Sequence, residues 1–192
     1  MKIKVLLDGT YEKTNPLSRK VSSSITLIQT EEKNIIVDTG NRQVTEQLIT
    51  ELAEVNLKPE DINIVINTHS HIDHVWNNYL FTNAIVIHPT HDKFAAMDKD
   101  GSFSYIEGIT GLKLEHTHGH LDELMIVYAN IDNKIYCIAN DIIATSKDAE
   151  KVERKHFLHK DNEAVIASRK KILEKADFII TGHEGIIKNP NR

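Results

Sequence analysis

The sequence of 192 residues predicts an α/β fold (α+β four-layer) in which two packed mixed sheets carry helices on their outer faces. Three observations carry that expectation. Short runs of Ile, Val and Leu recur between turn-forming residues, two segments switch to helical spacing, and strands followed by a helix and a further strand occur in both halves. Layering helices outside two sheets is the economical way to bury such elements.

Val5-Leu6-Leu7 and residues 25–30 and 34–38 are β-branched or aliphatic and bounded by turn residues, so the chain opens with sheet. Val44, Leu48, Leu52 and Val55 then mark one face of a helix that stops before Lys58-Pro59. Residues 62–67 return to strand, 75–81 are expected as a short helix, and 84–88 are again strand. In the second half, residues 112–114, 124–128 and 135–139 read as strands. Residues 163–176 read as a helix with Val165, Ile166, Ile172 and Leu173 inward, and 177–181 form a last strand before Gly182-His183. Residues 92–111 and 145–160 have the least pattern and are expected as surface loops or lids.

Length and composition bound the function. A chain of this size, 40% hydrophobic and 27% charged, is expected to be one globular domain spanning 1–192. Aromatic residues are only 6%, so the core must rest on aliphatic side chains. A formal net charge of −5 is not that of a general nucleic-acid binder. No apolar run approaches the roughly 20 residues that span a bilayer, and the opening segment is too short for a signal peptide, so a cytoplasmic location and no membrane partner are expected. The single cysteine, Cys137, lies in a strand-like run and is expected to be a small buried core residue.

Chemistry concentrates where the strand at 62–67 ends. Thr68-His69-Ser70-His71-Ile72-Asp73-His74 places three histidines and a carboxylate within six residues. Imidazoles and carboxylates are the ligands that Zn²⁺ and similar ions prefer, and loops at strand ends are where a sheet presents functional groups. Four residues do not complete a two-metal site. His120 in Thr117-His118-Gly119-His120, Asp141 and His183 each follow a strand-like run and offer the remainder.

The ordered set His69-Ser70-His71-Ile72-Asp73-His74, His120, Asp141 and His183, with Asp38-Thr39-Gly40 before it, resembles the five-motif pattern of the metallo-β-lactamase superfamily. Val21-Ser22-Ser23-Ser24-Ile25-Thr26-Leu27 and Ser168-Arg169-Lys170-Lys171-Ile172-Leu173 are similar to stretches of its small branch, metallo-β-lactamase domain-containing protein 1. The likeness runs from about residue 21 to 187. It implies an αβ/βα sandwich with a groove at one end. It further implies that His69, His71 and His120 bind one metal and Asp73, His74 and His183 the other, that Asp141 bridges both, and that Asp38 orients ligands. An aspartate rather than a cysteine in the bridging position is similar to the thioesterase, lactonase and nuclease branches.

The chain also departs from the pattern. Trp76 stands where a glycine is common, His118 where proline is, and Asn140 and Thr181 replace the usual Gly and Pro before Asp141 and Gly182. None of these removes a ligand. Trp76 either narrows the groove or is an ordinary aromatic on a short helix, and His118 is expected at the surface.

These readings imply a metal-dependent hydrolase. Two divalent ions, zinc with manganese or iron as alternatives, would share Asp141 and generate a bridging hydroxide that attacks an ester, thioester, lactone or phosphodiester. Asp73 would take a proton as the intermediate breaks down. A small-molecule substrate is expected. Nucleic acid stays open through the basic stretch 147–160, where an endoribonuclease is the specific phosphodiester case, and a homodimer stays open as well. The alternative class is a mononuclear iron oxidoreductase similar to persulfide dioxygenases, which also show the His-x-His-x-Asp-His pattern. A noncatalytic metal-binding domain is the third class.

Overall fold

The computed structural model describes residues 1–16 and 18–192. In chain order the elements are β1 (Lys2–Leu7), β2 (Thr10–Asn15), β3 (Ser18–Ser22), β4 (Ile25–Gln29), β5 (Asn34–Val37), α1 (Thr45–Glu54), β6 (Ile64–Ile66), α2 (Ile72–Val75), β7 (Ile85–Pro89), β8 (Phe94–Met97) and β9 (Phe103–Ile106). The second half adds β10 (Leu112–Thr117), β11 (Leu124–Ile131), β12 (Lys134–Asn140), α3 (Ser146–Glu150), α4 (Asn162–Lys175), β13 (Phe178–Thr181) and β14 (Ile186–Lys188).

One sheet runs β1-β4-β5-β6-β7-β8-β9 and the other β10-β11-β12-β13-β14, while β2 and β3 pair as a separate hairpin. Both sheets are mixed, since β5, β6 and β7 are parallel, as are β12 and β13, and the remaining ladders are antiparallel. The parallel centre explains the sequence of β6: Ile64, Val65 and Ile66 are all buried because both faces of that strand are covered.

The alternation of β11 sorts the layers. Met125, Val127 and Ala129 pack with Ile35, Val37, Ile66 and Ile87 between the sheets, while Leu124, Ile126 and Tyr128 face Val165, Ile172 and Leu173 of α4. On the other side Leu48 and Leu52 of α1 pack on Leu27, Ile36 and Val65. The result is helix, sheet, sheet, helix, as the patterning predicts. Each fully buried aliphatic side chain contributes about 1.5–3 kcal/mol. Cys137 is fully buried on the α4 side.

The structure differs from the sequence reading at five places, one being that 177–181 is not the last strand, since β14 follows and pairs with β13. Residues 75–81 do not form one helix: α2 ends at Val75 and a 3₁₀ turn spans Trp76–Leu80. There the buried Asn77 amide donates to the carbonyls of Thr39 and Asn41 at 2.7 and 2.8 Å, which pins the turn to the exit of β5. Residues 92–111, expected as loop, contain β8 and β9, and 145–160 contain α3. The β2–β3 hairpin carries no apolar alternation, because most of its residues are exposed.

Candidate metal centre

Five strands end at one edge of the sandwich, and each releases a singled-out residue there: Asp38 after β5, His69 after β6, His120 after β10, Asp141 after β12 and His183 after β13. His71 precedes α2, and Asp73 and His74 lie on its first turn. The ligand atoms of His69, His71, His120 and Asp141 lie within 4.8 Å of one another, as do those of Asp73, His74 and His183. All seven residues predicted from the sequence are thus brought together.

Asp141 stands between the two groups. Its Oδ2 is 3.2 Å from His120 Nε2 and 4.0 Å from His69 Nε2, while its Oδ1 is 3.1 Å from His183 Nε2 and 3.3 Å from His74 Nε2. His120 Nε2 is also 3.0 Å from His71 Nδ1. The backbone makes room for this carboxylate: a Cβ on Gly182 would lie 2.4 Å from Asp141 Oδ1. Asn140, where a glycine is usual, takes φ +43°, and its side chain accepts from Ile142 N–H and donates to Met125 O.

The rings are held from behind. His74 Nδ1 is 2.8 Å from Asp38 Oδ2, His183 Nδ1 is 2.9 Å from Ser22 O, His69 Nδ1 is 3.1 Å from Thr68 Oγ1, and His120 Nδ1 is 3.1 Å from His159 Nδ1. Asp38 also accepts from Thr68 N–H and Thr68 Oγ1, each at 2.8 Å. An oxygen partner on Nδ1 fixes the ring's orientation and directs Nε2 into the site.

The charge states divide accordingly. Burial and neighbouring His74 hold His69 well below the usual histidine range, and burial, against the pull of Asp141, pushes His120 down to about 4. Burial opposes charge on His74 and His183 as well, but Asp38 and Asp141 outweigh it at His74, and Asp141 does so at His183, so both are raised. For Asp141 burial is overcome by His183 and His74, which hold its carboxyl well below the usual range.

The donor set fits a metal. Among the described residues His69 Nε2, His74 Nε2 and Asp141 Oδ1 are buried without a well-aligned hydrogen bond, the approaches of His183 and His74 to Asp141 Oδ1 being charge contacts only. An unsatisfied buried polar group costs about 1–3 kcal/mol. Three of them converging among imidazoles and carboxylates match the nitrogen and oxygen coordination of zinc-like ions.

A compact pocket of about 60 Å³ opens beside these residues, lined by His120, Asp141 and His183 together with Tyr11, Arg154, His156 and His159. Sequence reasoning missed Tyr11 and Arg169. Arg169 lies in the stretch 168–173 that carries the family resemblance, but its role is signalled by helical register, since it falls on the inward face between Val165 and Leu173, where its side chain is 1% exposed. Trp76 lies outside this pocket, exposed beside Arg42 and Tyr79, and His118 is exposed. In the basic stretch Lys155 pairs with Glu163 and Lys160 with Asp122.

Known proteins resemble this chain in sequence and fold. A family model described as the metallo-β-lactamase superfamily matches residues 19–103. A protein of Methanocaldococcus jannaschii named as a metallo-hydrolase is 34% identical over 186 residues, covering 96% of this chain and 88% of its own. Metallo-β-lactamase domain-containing protein 1 of Xenopus laevis is 29% identical over 188 residues, covering 94% and 78%. Among solved structures, a dizinc quorum-quenching lactonase holding a homoserine product shares the fold at TM-score 0.65 and 18% identity, covering 90% of this chain and 78% of that one. The chain belongs to the metallo-β-lactamase superfamily of metal-dependent hydrolases.

Proposed function

We propose that this hydrolase holds two zinc ions, one among His69, His71 and His120 and one among Asp73, His74 and His183, with Asp141 shared, and cleaves an ester, thioester or lactone of a small molecule. The observation that carries the reading is the division of Asp141, whose two oxygens face different histidine pairs. The dizinc lactonase that shares the fold supports it. Candidates come from both sheets, which supports reading 1–192 as one domain.

Bound zinc supplies Lewis acidity, which acidifies water and polarises a carbonyl oxygen. The protein's part is orientation and proton handling. Asp38 aligns His74, the Ser22 carbonyl aligns His183, and the Asp73 carboxylate accepts a proton as the leaving group departs. The small pocket limits the water that can enter. The paired lysines at 155 and 160 favour a small substrate over a nucleic-acid strand.

Elemental mass spectrometry on untagged protein prepared without added metal is expected to find two zinc ions per chain. His71→Ala and Asp141→Asn should lower that content and abolish hydrolysis of p-nitrophenyl and thioester substrates while circular dichroism stays unchanged. A single iron per chain, or full turnover by either variant at unchanged metal content, overturns the assignment.

A further inference from the structure

The pocket wall facing the candidate ligands carries more positive charge than its own carboxylate neutralises. The buried Arg169 is saturated, donating to the carbonyls of Ile142, Val152 and Arg154 and lying 3.1 Å from Asp148 Oδ1. Arg154 Nη1 is 3.1 Å from that same Oδ1. Two guanidinium groups thus share one buried carboxylate, and one charge is left over. Arg154, with its side chain 39% exposed, is the one that opens to the pocket. Its hydrogen bonds to Asp148 and Thr145 use Nη1 alone, so among the described residues Nε and Nη2 have no protein partner.

Tyr11 adds a directed donor. His156 Nδ1 accepts the Leu158 N–H at 3.2 Å, so the neutral ring carries its hydrogen on Nε2 and donates it to the Tyr11 oxygen, 3.4 Å away. The tyrosine's own O–H is thereby free to donate elsewhere. Its ring lies 5.7 Å, centroid to centroid, from that of His183. Burial and Arg154 hold His156 below the ordinary histidine range, which keeps the neutral ring at pH 7. The surrounding lysines are occupied, Lys155 with Glu163, Lys160 with Asp122 and Lys170 with Glu153. A polyanion needs a row of open cations, whereas one open guanidinium fork matches one carboxylate or phosphate.

We propose that Arg154 and Tyr11 form an anion subsite beside the metal centre, so that the small molecule hydrolysed carries a single carboxylate or phosphate next to its scissile bond. This rests on the hydrolase reading given above.

The test is isothermal titration of the metal-loaded protein with N-acetylglycine, with methyl phosphate and with the neutral N-acetylglycinamide. Both anions should bind more tightly than the amide, and whichever binds tighter names the source of the charge. Arg154→Gln should weaken anion binding about ten- to hundredfold, the loss of a charge-assisted pair. Arg154→Lys, which keeps the charge without the fork, should recover part of it, and Tyr11→Phe should lose severalfold. Thermal melts check that Arg154→Gln folds, and the lysine variant keeps the test decisive if it does not. Equal affinity in wild type and both Arg154 variants, the result of an anion held by metal alone, overturns the proposal, as does indifference between anion and amide. Turnover of p-nitrophenyl acetate is followed in parallel. Its absence alongside Arg154-dependent binding would remove the hydrolase reading and leave the subsite standing.

Discussion

Replacing Asp38 by Asn isolates what one buried carboxylate contributes. Asp38 occupies φ +56°, a region Asn tolerates as well as Asp, so the backbone is not perturbed. The carboxylate accepts three contacts at 2.8 Å: Thr68 N–H on Oδ1, and Thr68 Oγ1 and His74 Nδ1 on Oδ2. Asn keeps one oxygen for the amide but puts an NH₂ group where Oδ2 accepted. Two hydrogen bonds to a charged acceptor are lost, each about 1.5–3 kcal/mol. The new NH₂ group recovers one by donating to Thr68 Oγ1, which keeps accepting from His69 Nδ1–H at 3.1 Å. The net loss is therefore about 1.5–3 kcal/mol, a large part of the roughly 5–15 kcal/mol of a typical domain. His74 is no longer held, and zinc affinity should fall about 10- to 100-fold. Urea denaturation of metal-free protein reads the first effect, and zinc competition against a chromogenic chelator reads the second. Stability within 0.5 kcal/mol of wild type, or affinity within about twofold, would refute the reasoning.

Three further outcomes follow from the same contacts. Arg169→Met strands the carbonyls of Ile142, Val152 and Arg154 and removes a partner of buried Asp148, so the urea midpoint should fall by the equivalent of about 3–5 kcal/mol, whereas an unchanged midpoint would contradict its role. The ring of His116 stacks on Phe94 at 4.2 Å with a buried Nε2 that has no hydrogen-bond partner among the described residues, and burial and His118 lower its pKa. The unfolded chain therefore takes up that proton first as pH falls below about 6.5, and wild-type stability drops there; His116→Phe should raise the unfolding free energy read by urea denaturation by about 1 kcal/mol and flatten that acid-side loss, and a steeper loss would contradict the sign. Burial pushes the Cys137 thiol up, so a thiol reagent at pH 8 should label native protein only at the rate of unfolding, and rapid stoichiometric labelling would mean that its strand is open.

The site was more legible than its surroundings, for a physical reason. Ligand-type residues clustered at 69–74 and recurring at 120, 141 and 183 leave a mark in one dimension, because each strand must end to release its side chain. Buried aliphatic runs such as Ile64-Val65-Ile66 announce themselves equally well. The hairpin that brings Tyr11 to the pocket is exposed along most of its length and has no alternation to read. Strands β8 and β9 sit at the rim of their sheet, where Met97, Phe103 and Tyr105 face solvent and blur the period. Arg169 was hidden because a charged residue on an inward helical position is recognised only once its carbonyl partners are in place.

Ser22, Ser23 and Ser24, buried at the junction of β3 and β4, tie distant parts of the chain into one mechanical hub. Ser22 holds His183 through its carbonyl and Asn41 N–H through its hydroxyl; Ser23 N–H grips Asp73 O and its hydroxyl takes Gly40 N–H; Ser24 N–H grips Gly182 O, and its hydroxyl takes Gly9 and Gly185 N–H. The exposed hairpin is the lever arm attached to that hub. Because β3 ends in Ser22, whose carbonyl holds His183, displacing the hairpin would shift the supports of Asp73 and His183 together.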